Sequence, residues 1–311
     1  GHTFAVGDLN NDGAIDLYVP DYIRNVDAPC SSTRPGCMGL TLLNDGKGNF
    51  SLGSVDFPFT GNVWGSDIHD FDGDGYGDIL ISLDDIDKDH IFFDEKHWNT
   101  ESAMIMFGNP EGDYKRDVVY LPESPLGKNF IGLEFHLDDL DGDGLTDIMA
   151  VHTGDIQSQT DYTGYYSGLT IQVIQNKGNR SFEDITDSFV DRSRLESLPL
   201  DIDGQALPSY YQYKDIDGDG DKDLWPISGQ YGRVYFLREK DKLVLAGSGG
   251  SVLDYRGTEG NCDYGCASTF YTGLAVDIDQ DGLVDFLQVE AGEGKNEGWY
   301  VSQLMTLASP F

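Results

Sequence analysis

One nine-residue pattern occurs five times in this chain, and it limits the fold more than any other feature. It reads Asp-x-Asn/Asp-x-Asp-Gly-x-x-Asp: DLNNDGAID at Asp8–Asp16, DFDGDGYGD at Asp70–Asp78, DLDGDGLTD at Asp139–Asp147, DIDGDGDKD at Asp215–Asp223 and DIDQDGLVD at Asp277–Asp285. Successive copies start 62, 69, 76 and 62 residues apart. A period of that length, with one acidic loop per period, makes each repeat a supersecondary unit of its own.

The spacing suits a hard cation. Calcium takes six to eight oxygens, and a tight loop aims alternate side chains at one point. Position 6 is glycine in all five copies, which allows a sharp turn. The expected side-chain ligands are Asp8, Asn10, Asp12 and Asp16 in the first loop, and Asp70, Asp72, Asp74 and Asp78 in the second. The third supplies Asp139, Asp141, Asp143 and Asp147, the fourth Asp215, Asp217, Asp219 and Asp223, and the fifth Asp277, Asp279, Asp281 and Asp285. About five Ca²⁺ ions are expected. The other reading is a set of Asp-Gly turns that bind nothing; five copies in one register weigh against it, because so many close carboxylates repel without a counter-charge.

The loops are not EF-hands. An EF-hand loop closes on a bidentate Glu at position 12, where this chain has Val19, Ile81, Ala150, Pro226 and Gln288. The flanks also read as strands rather than helices. Before each loop lies a strand-like piece, at 3–8, 62–70, 131–139, 210–215 and 272–277. After it come IDLYVP, DILISL, DIMAVH, DLWPIS and DFLQVE, short and apolar. A third strand follows at 40–45, 103–109, 169–176, 233–239 and 298–304. Short Gly/Asn/Asp turns such as NDGKGNF at 44–50 then lead into a fourth, as at 113–121. The expectation is an all-β chain, a single domain over 1–311 with repeats beginning near 1, 62, 131, 209 and 271. Each repeat is four antiparallel strands, A to D, and such sheets repeated about an axis make a β-propeller. The one candidate helix is the stretch near Phe189–Leu200.

The five loops and the NDGKGNF-type turn resemble the FG-GAP/VCBS repeat family, whose blades form the propeller of integrin alpha subunits. The resemblance covers essentially the whole chain and implies calcium in the A–B loops. The family's Phe-Gly and Gly-Ala-Pro signatures are eroded here. Its propellers commonly have seven or eight blades against the five counted, so the chain is either a five-bladed ring or part of a longer propeller.

The remaining connections are long and irregular: Pro20–Gly39, Asp84–Thr100, His152–Gly168, Arg192–Ser209 and Ser248–Tyr271. Long loops on a rigid scaffold are where binding concentrates. Trp98, Tyr165, Tyr166, Tyr210 and Tyr211 fall in or beside them and are the ligand-face candidates, since aromatic rings suit sugar faces and protein hot spots. The other reading is that they pack the loops onto the sheets. Cys30 with Cys37, and Cys262 with Cys266, lie in the same loops. Local pairing into two disulfides points to an oxidising compartment; metal binding is the weaker alternative, because no His stands at zinc-finger spacing.

Charge narrows the partners. With 55 acidic and 20 basic residues the formal charge is −35, against nucleic acid and anionic membranes. No stretch is long and apolar enough for a spanning helix. The chain therefore reads as a secreted or cell-surface recognition or adhesion module for glycan or protein ligands. One alternative is a polysaccharide lyase or hydrolase working through His90, His97 and His152. It lacks any recognised nucleophile or cofactor motif, so the reading leans away from an enzyme. The other alternative is a structural subunit of a surface assembly or filament.

Overall fold

The computed structural model describes residues 4–20, 39–55, 57–58, 62–84, 103–123, 130–154, 170–191, 211–226, 234–248, 272–277, 285–292 and 298–306. Nearly all the regular secondary structure in these residues is β-strand. By contacts the chain divides into two units, one of residues 1–152 with 170–185, the other of 153–169 with 186–311.

The first unit holds three four-stranded antiparallel sheets. Strands β1 (Ala5–Gly7), β2 (Asp16–Val19), β3 (Leu40–Asn44) and β4 (Phe50–Leu52) form the first, in chain order. The second is β5 (Asn62–His69), β6 (Asp78–Asp84), β7 (Ala103–Met106) and β8 (Val118–Tyr120). The third is β9 (Phe130–Asp138), β10 (Asp147–Gly154), β11 (Thr170–Asn176) and β12 (Phe182–Asp184). Each acidic loop joins the first two strands of its sheet, and each Gly/Asn turn joins the last two, as the repeat pattern predicts.

Both faces of the middle sheet are buried. Ile79, Leu80 and Ile81 are consecutive and all 0% exposed. Alternate strand residues point to opposite faces, so Ile79 and Ile81 join one cluster and Leu80 another. The first cluster includes Leu9 and Tyr18 of the first repeat with Ile68, Met104 and Met106 of the second. The other includes Phe71, Leu80, Ile105 and Phe107 of the second repeat with Ile148, Ala150 and Ile174 of the third. This is why DILISL shows no two-residue alternation: a strand covered on both sides is apolar throughout.

The sheets approach closely at the loops. A Cβ at Gly77 would lie 2.5 Å from the Asp8 carbonyl oxygen and 2.9 Å from Ile68 Cγ2. Backbone cannot yield as a flexible side chain does. Gly77→Ala is therefore expected to destabilise this unit by about 2 kcal/mol through overpacking, read as a lowered urea midpoint. An unchanged midpoint would show that the two loops can separate freely.

The second unit departs from the four-strand expectation. Its first sheet has five strands in the order β13 (Val190–Asp191), β17 (Lys242–Ser248), β16 (Val234–Glu239), β15 (Asp223–Pro226) and β14 (Tyr211–Lys214). β13 is parallel to β17, with Val190 opposite Leu243. Only the start of the candidate helical stretch near Phe189–Leu200 falls among the described residues. The helix α1 covers only Thr186–Phe189, and the next two residues turn extended to add to the open edge of β17. Phe189 and Val190, each 6% exposed, hold the segment down; residues 192–200 lie outside the described ones. The last sheet has β18 (Thr272–Val276), β19 (Asp285–Gly292) and β20 (Gly298–Thr306) as its described strands. Among the described residues, no helix is long and apolar enough to cross a membrane.

Candidate metal centres

Four of the five acidic loops are described, and they share one hydrogen-bond scheme. Strands flank each of them, which agrees with the exclusion of an EF-hand. The Asp at position 1 folds the loop around itself. Its Oδ2 accepts the amide of position 6 at 2.8–3.0 Å: Gly13 to Asp8, Gly75 to Asp70, Gly144 to Asp139, Gly220 to Asp215. The residue at position 3 accepts the amide of position 5, as Asp74 donates to Asp72 Oδ1 at 3.2 Å and Asp143 to Asp141 Oδ1 at 3.0 Å. The Asp at position 5 in turn accepts the amide of position 7, for instance Tyr76 to Asp74 Oδ1 at 2.9 Å.

Position 9 is set apart by burial. Asp16, Asp78 and Asp147 are 0% exposed and Asp223 is 1% exposed. Each opens the second strand of its sheet, and both of its oxygens are held. Oδ2 accepts the amide of position 2 in the same loop, from Leu9, Phe71, Leu140 and Ile216 respectively. Oδ1 accepts an amide at or just past the third strand's end in three sheets: Asn44 at 2.7 Å, Gly108 at 2.8 Å and Asn176 at 2.8 Å. In the fourth it accepts from Arg238, within β16, at 2.8 Å. The carboxylate thus ties the loop to a strand of its own sheet, and amide donors orient its oxygens.

The result is a set of converging oxygens. One carboxylate oxygen from each of Asp70, Asp72 and Asp78 lies within 4.8 Å of the others, and the same holds for Asp139, Asp141 and Asp147 and for Asp215, Asp217 and Asp223. The convergent positions are 1, 3 and 9, while the position-5 carboxylate takes part in the turn. The first loop has Asn10 at position 3, so its matching set is two carboxylates and a carboxamide. All-oxygen donors at this spacing fit a hard cation, and the clusters can hold a metal ion. Asp277 is described, but Asp279 and Asp281 of the fifth loop lie outside the described residues, and Asp285 is placed only as the start of β19.

Glycine at position 6 is in the left-handed region, with φ between 82° and 101°. So is position 4, where Gly73, Gly142 and Gly218 have φ of 76–82° and Asn11 has 61°. The sequence reading missed position 4. Its signal was visible, since Gly and Asn are the residues that tolerate this conformation. Also missed were the amides of Asn44, Gly108, Asn176 and Arg238. A main-chain donor leaves no side-chain signature, although Asn recurs at two of the four places.

Burial pushes the position-9 carboxyls up, against the pull of their two amide bonds. Asp16 and Asp147 are raised, Asp223 reaches about 6 and Asp78 about 8. Since the folded value at Asp78 exceeds its unfolded 3.8, the metal-free folded state binds more protons between pH 4 and 8. Its stability is greatest at the acid end of that window and falls as pH rises through it. In excess chelator the melting temperature is expected to rise from pH 8 to pH 6. Asp78→Asn, which cannot titrate, should flatten that rise. A profile identical in wild type and variant would remove Asp78 as its source.

The other candidates divide as follows. Tyr211 is 2% exposed, and its ring lies 6.5 Å from that of Phe236. It is buried as the first residue of β14. His152 lies on β10 opposite Thr170. His90, His97, Trp98, Tyr165, Tyr166, Tyr210 and the cysteines Cys30, Cys37, Cys262 and Cys266 lie outside the described residues. No protein-family model matches this chain, and no curated protein matches it either.

Proposed function

We propose that this chain is a calcium-binding β-propeller of the FG-GAP/VCBS type, acting outside the cell as a recognition or adhesion module for glycan or protein ligands. The observation that carries the reading is the repetition of one loop geometry in four places, with three carboxylates converging in three of them. Calcium suits this donor set better than magnesium. It accepts six to eight oxygens in adaptable geometry, whereas magnesium demands a near-ideal octahedron and keeps its waters. The propeller reading is supported by three successive sheets with the same strand order, apolar clusters joining first to second and second to third.

Five ions bring a formal charge of −35 to about −25, which leaves a surface unsuited to polyanions. A secreted or cell-surface location follows from the same chemistry, because millimolar calcium is an extracellular condition matched to weak-to-moderate loop sites. Within this scheme the acidic loops hold the scaffold, and recognition belongs to the long connections between repeats.

Calcium titration of the chelator-treated chain by calorimetry tests the metal assignment. Saturable heat with about five ions per chain is expected, and magnesium should compete poorly. Absence of heat at millimolar calcium would refute it. A glycan-array screen of the calcium-loaded protein, with and without chelator, tests recognition. Binding to a defined sugar class that Trp98→Ala weakens supports a glycan ligand. An array blank at micromolar protein would leave an extracellular protein as the ligand of this proposal.

A further inference from the structure

Among the described loops, the second differs in having a cation of the protein's own on one of its ligands. Arg180 sits in the turn between β11 and β12 of the third sheet. Its guanidinium crosses to the second sheet, where Nε and Nη2 each lie 2.7 Å from the same Asp72 Oδ2, and Nη1 is 3.4 Å from Asp117 Oδ2. The guanidinium carbon stands 4.3 Å from the centre of the Phe107 ring, a cation–π arrangement on a fully buried side chain.

The turn that carries Arg180 is well anchored. Asn176 Nδ2 donates to the Phe71 carbonyl at 2.9 Å, and Phe182 packs edge-on to Phe71 at 6.1 Å between centroids. Asn179 and Arg180 both hold left-handed backbone, with φ of 53° and 59°. Non-glycine residues adopt that conformation at an energetic cost, which the anchoring contacts offset. In the third loop the matching carboxylate, Asp141, instead accepts from the uncharged amide of Gln175.

We propose that Arg180 is a tethered counter-ion that lowers the affinity of the second loop for a divalent cation, a role that rests on the reading of these loops as cation sites. Asp72 Oδ2 already takes two guanidinium N–H bonds, and Oδ1 takes the Asp74 amide. An ion entering between Asp70, Asp72 and Asp78 must displace the guanidinium or share Asp72 with it. Displacement breaks charge-assisted bonds; sharing sets a unit charge against the incoming ion. Both weaken binding. The second loop therefore fills after the third as calcium rises, even though both present three aspartates at positions 1, 3 and 9.

Terbium luminescence on the full chain isolates this loop, because Tyr76 occupies position 7 there, where the other described loops have Ala14, Leu145 and Asp221. The signal excited through tyrosine and lost in Tyr76→Phe is the second-loop component. Arg180→Gln is expected to lower its half-saturating terbium concentration about fivefold to tenfold, the size of one nearby unit charge at partial exposure. Asp117→Asn, an exposed change that leaves Arg180 wholly to Asp72, should raise it about twofold to threefold.

A Tyr76-dependent component with equal or weaker affinity in Arg180→Gln overturns the role of Arg180 and leaves the cation sites standing. If Arg180→Gln fails to fold by circular dichroism, Asp117→Asn decides: an unchanged or tighter half-saturation overturns the proposal. No Tyr76-dependent signal in any variant, with no calcium heat by calorimetry, removes the cation sites and the proposal together.

Discussion

Stripping calcium with excess chelator is expected to lower the melting temperature of the first unit by about 15 °C or more. That unit carries three of the acidic loops. An ion that binds the folded loop and not the unfolded chain stabilises by about 2.7 kcal/mol per site at a hundredfold excess over its dissociation constant. Three such sites contribute about 8 kcal/mol, and each kcal/mol moves the midpoint of a domain this size by about 2–4 °C. The direction is reinforced by electrostatics. Without an ion, Asp139, Asp141 and Asp147 keep one carboxylate oxygen each within 4.8 Å of the others, and Asp147 is buried. Calorimetric scans with calcium and with chelator decide the matter. Coincident curves at millimolar calcium would mean that the loops hold their shape through backbone hydrogen bonds alone.

Asp78→Ala is the substitution with the largest expected effect. In calcium it should destabilise the first unit by about 3–5 kcal/mol. Two buried amides, those of Phe71 and Gly108, lose their acceptor, and an orphaned buried donor costs about 1–3 kcal/mol. The loss of a metal oxygen adds to this. Asp78→Asn separates the two contributions. It removes the charge and keeps the shape and one acceptor oxygen, but its Nδ2 meets the second amide donor, so one of the Phe71 and Gly108 amides is left unpaired. In chelator the relief of a desolvated carboxylate offsets part of the roughly 1–3 kcal/mol cost of the orphaned amide, whereas in calcium the loss should be clearly larger. Chemical denaturation of both variants in both conditions reads this directly. Equal losses for Asp78→Asn with and without calcium would show that the carboxylate serves the sheet and not an ion.

The acidic loops show how far residue pattern reaches. Asp at position 1 and Gly at position 6 encode the turn locally, because both act within six residues of chain: a carboxylate that accepts neighbouring amides and a backbone that tolerates positive φ. The same locality made the flanking strands visible, since short apolar runs bounded by turn residues read as strands wherever they are placed. The third and fourth strands were legible through Gly/Asn turns such as Asn44–Phe50 for the same reason. The brief helix at Thr186–Phe189 and the strand Val190–Asp191 were not. Two residues carry no periodicity, and what makes them a strand is the free edge of β17, whose Leu243 lies 53 residues after Val190.

Tyr211 shows what a residue pattern leaves open. An aromatic residue beside a long connection suits a binding face as well as a core, and only the packing against Phe236 assigns it to the core. Arg180 was silent in the sequence altogether. It lies 108 residues from Asp72, and a charge in a polar turn looks solvated until the neighbouring sheet is in place.

The repeat and its all-β character were determined by sequence alone, because each depends on interactions between residues close along the chain. The burial of Asp16, Asp78, Asp147 and Asp223, the amides that hold them and the guanidinium set on Asp72 were decided only by tertiary structure. Those features depend on where the third strand of the sheet, or a turn of the next one, comes to rest, and no local pattern carries that distance.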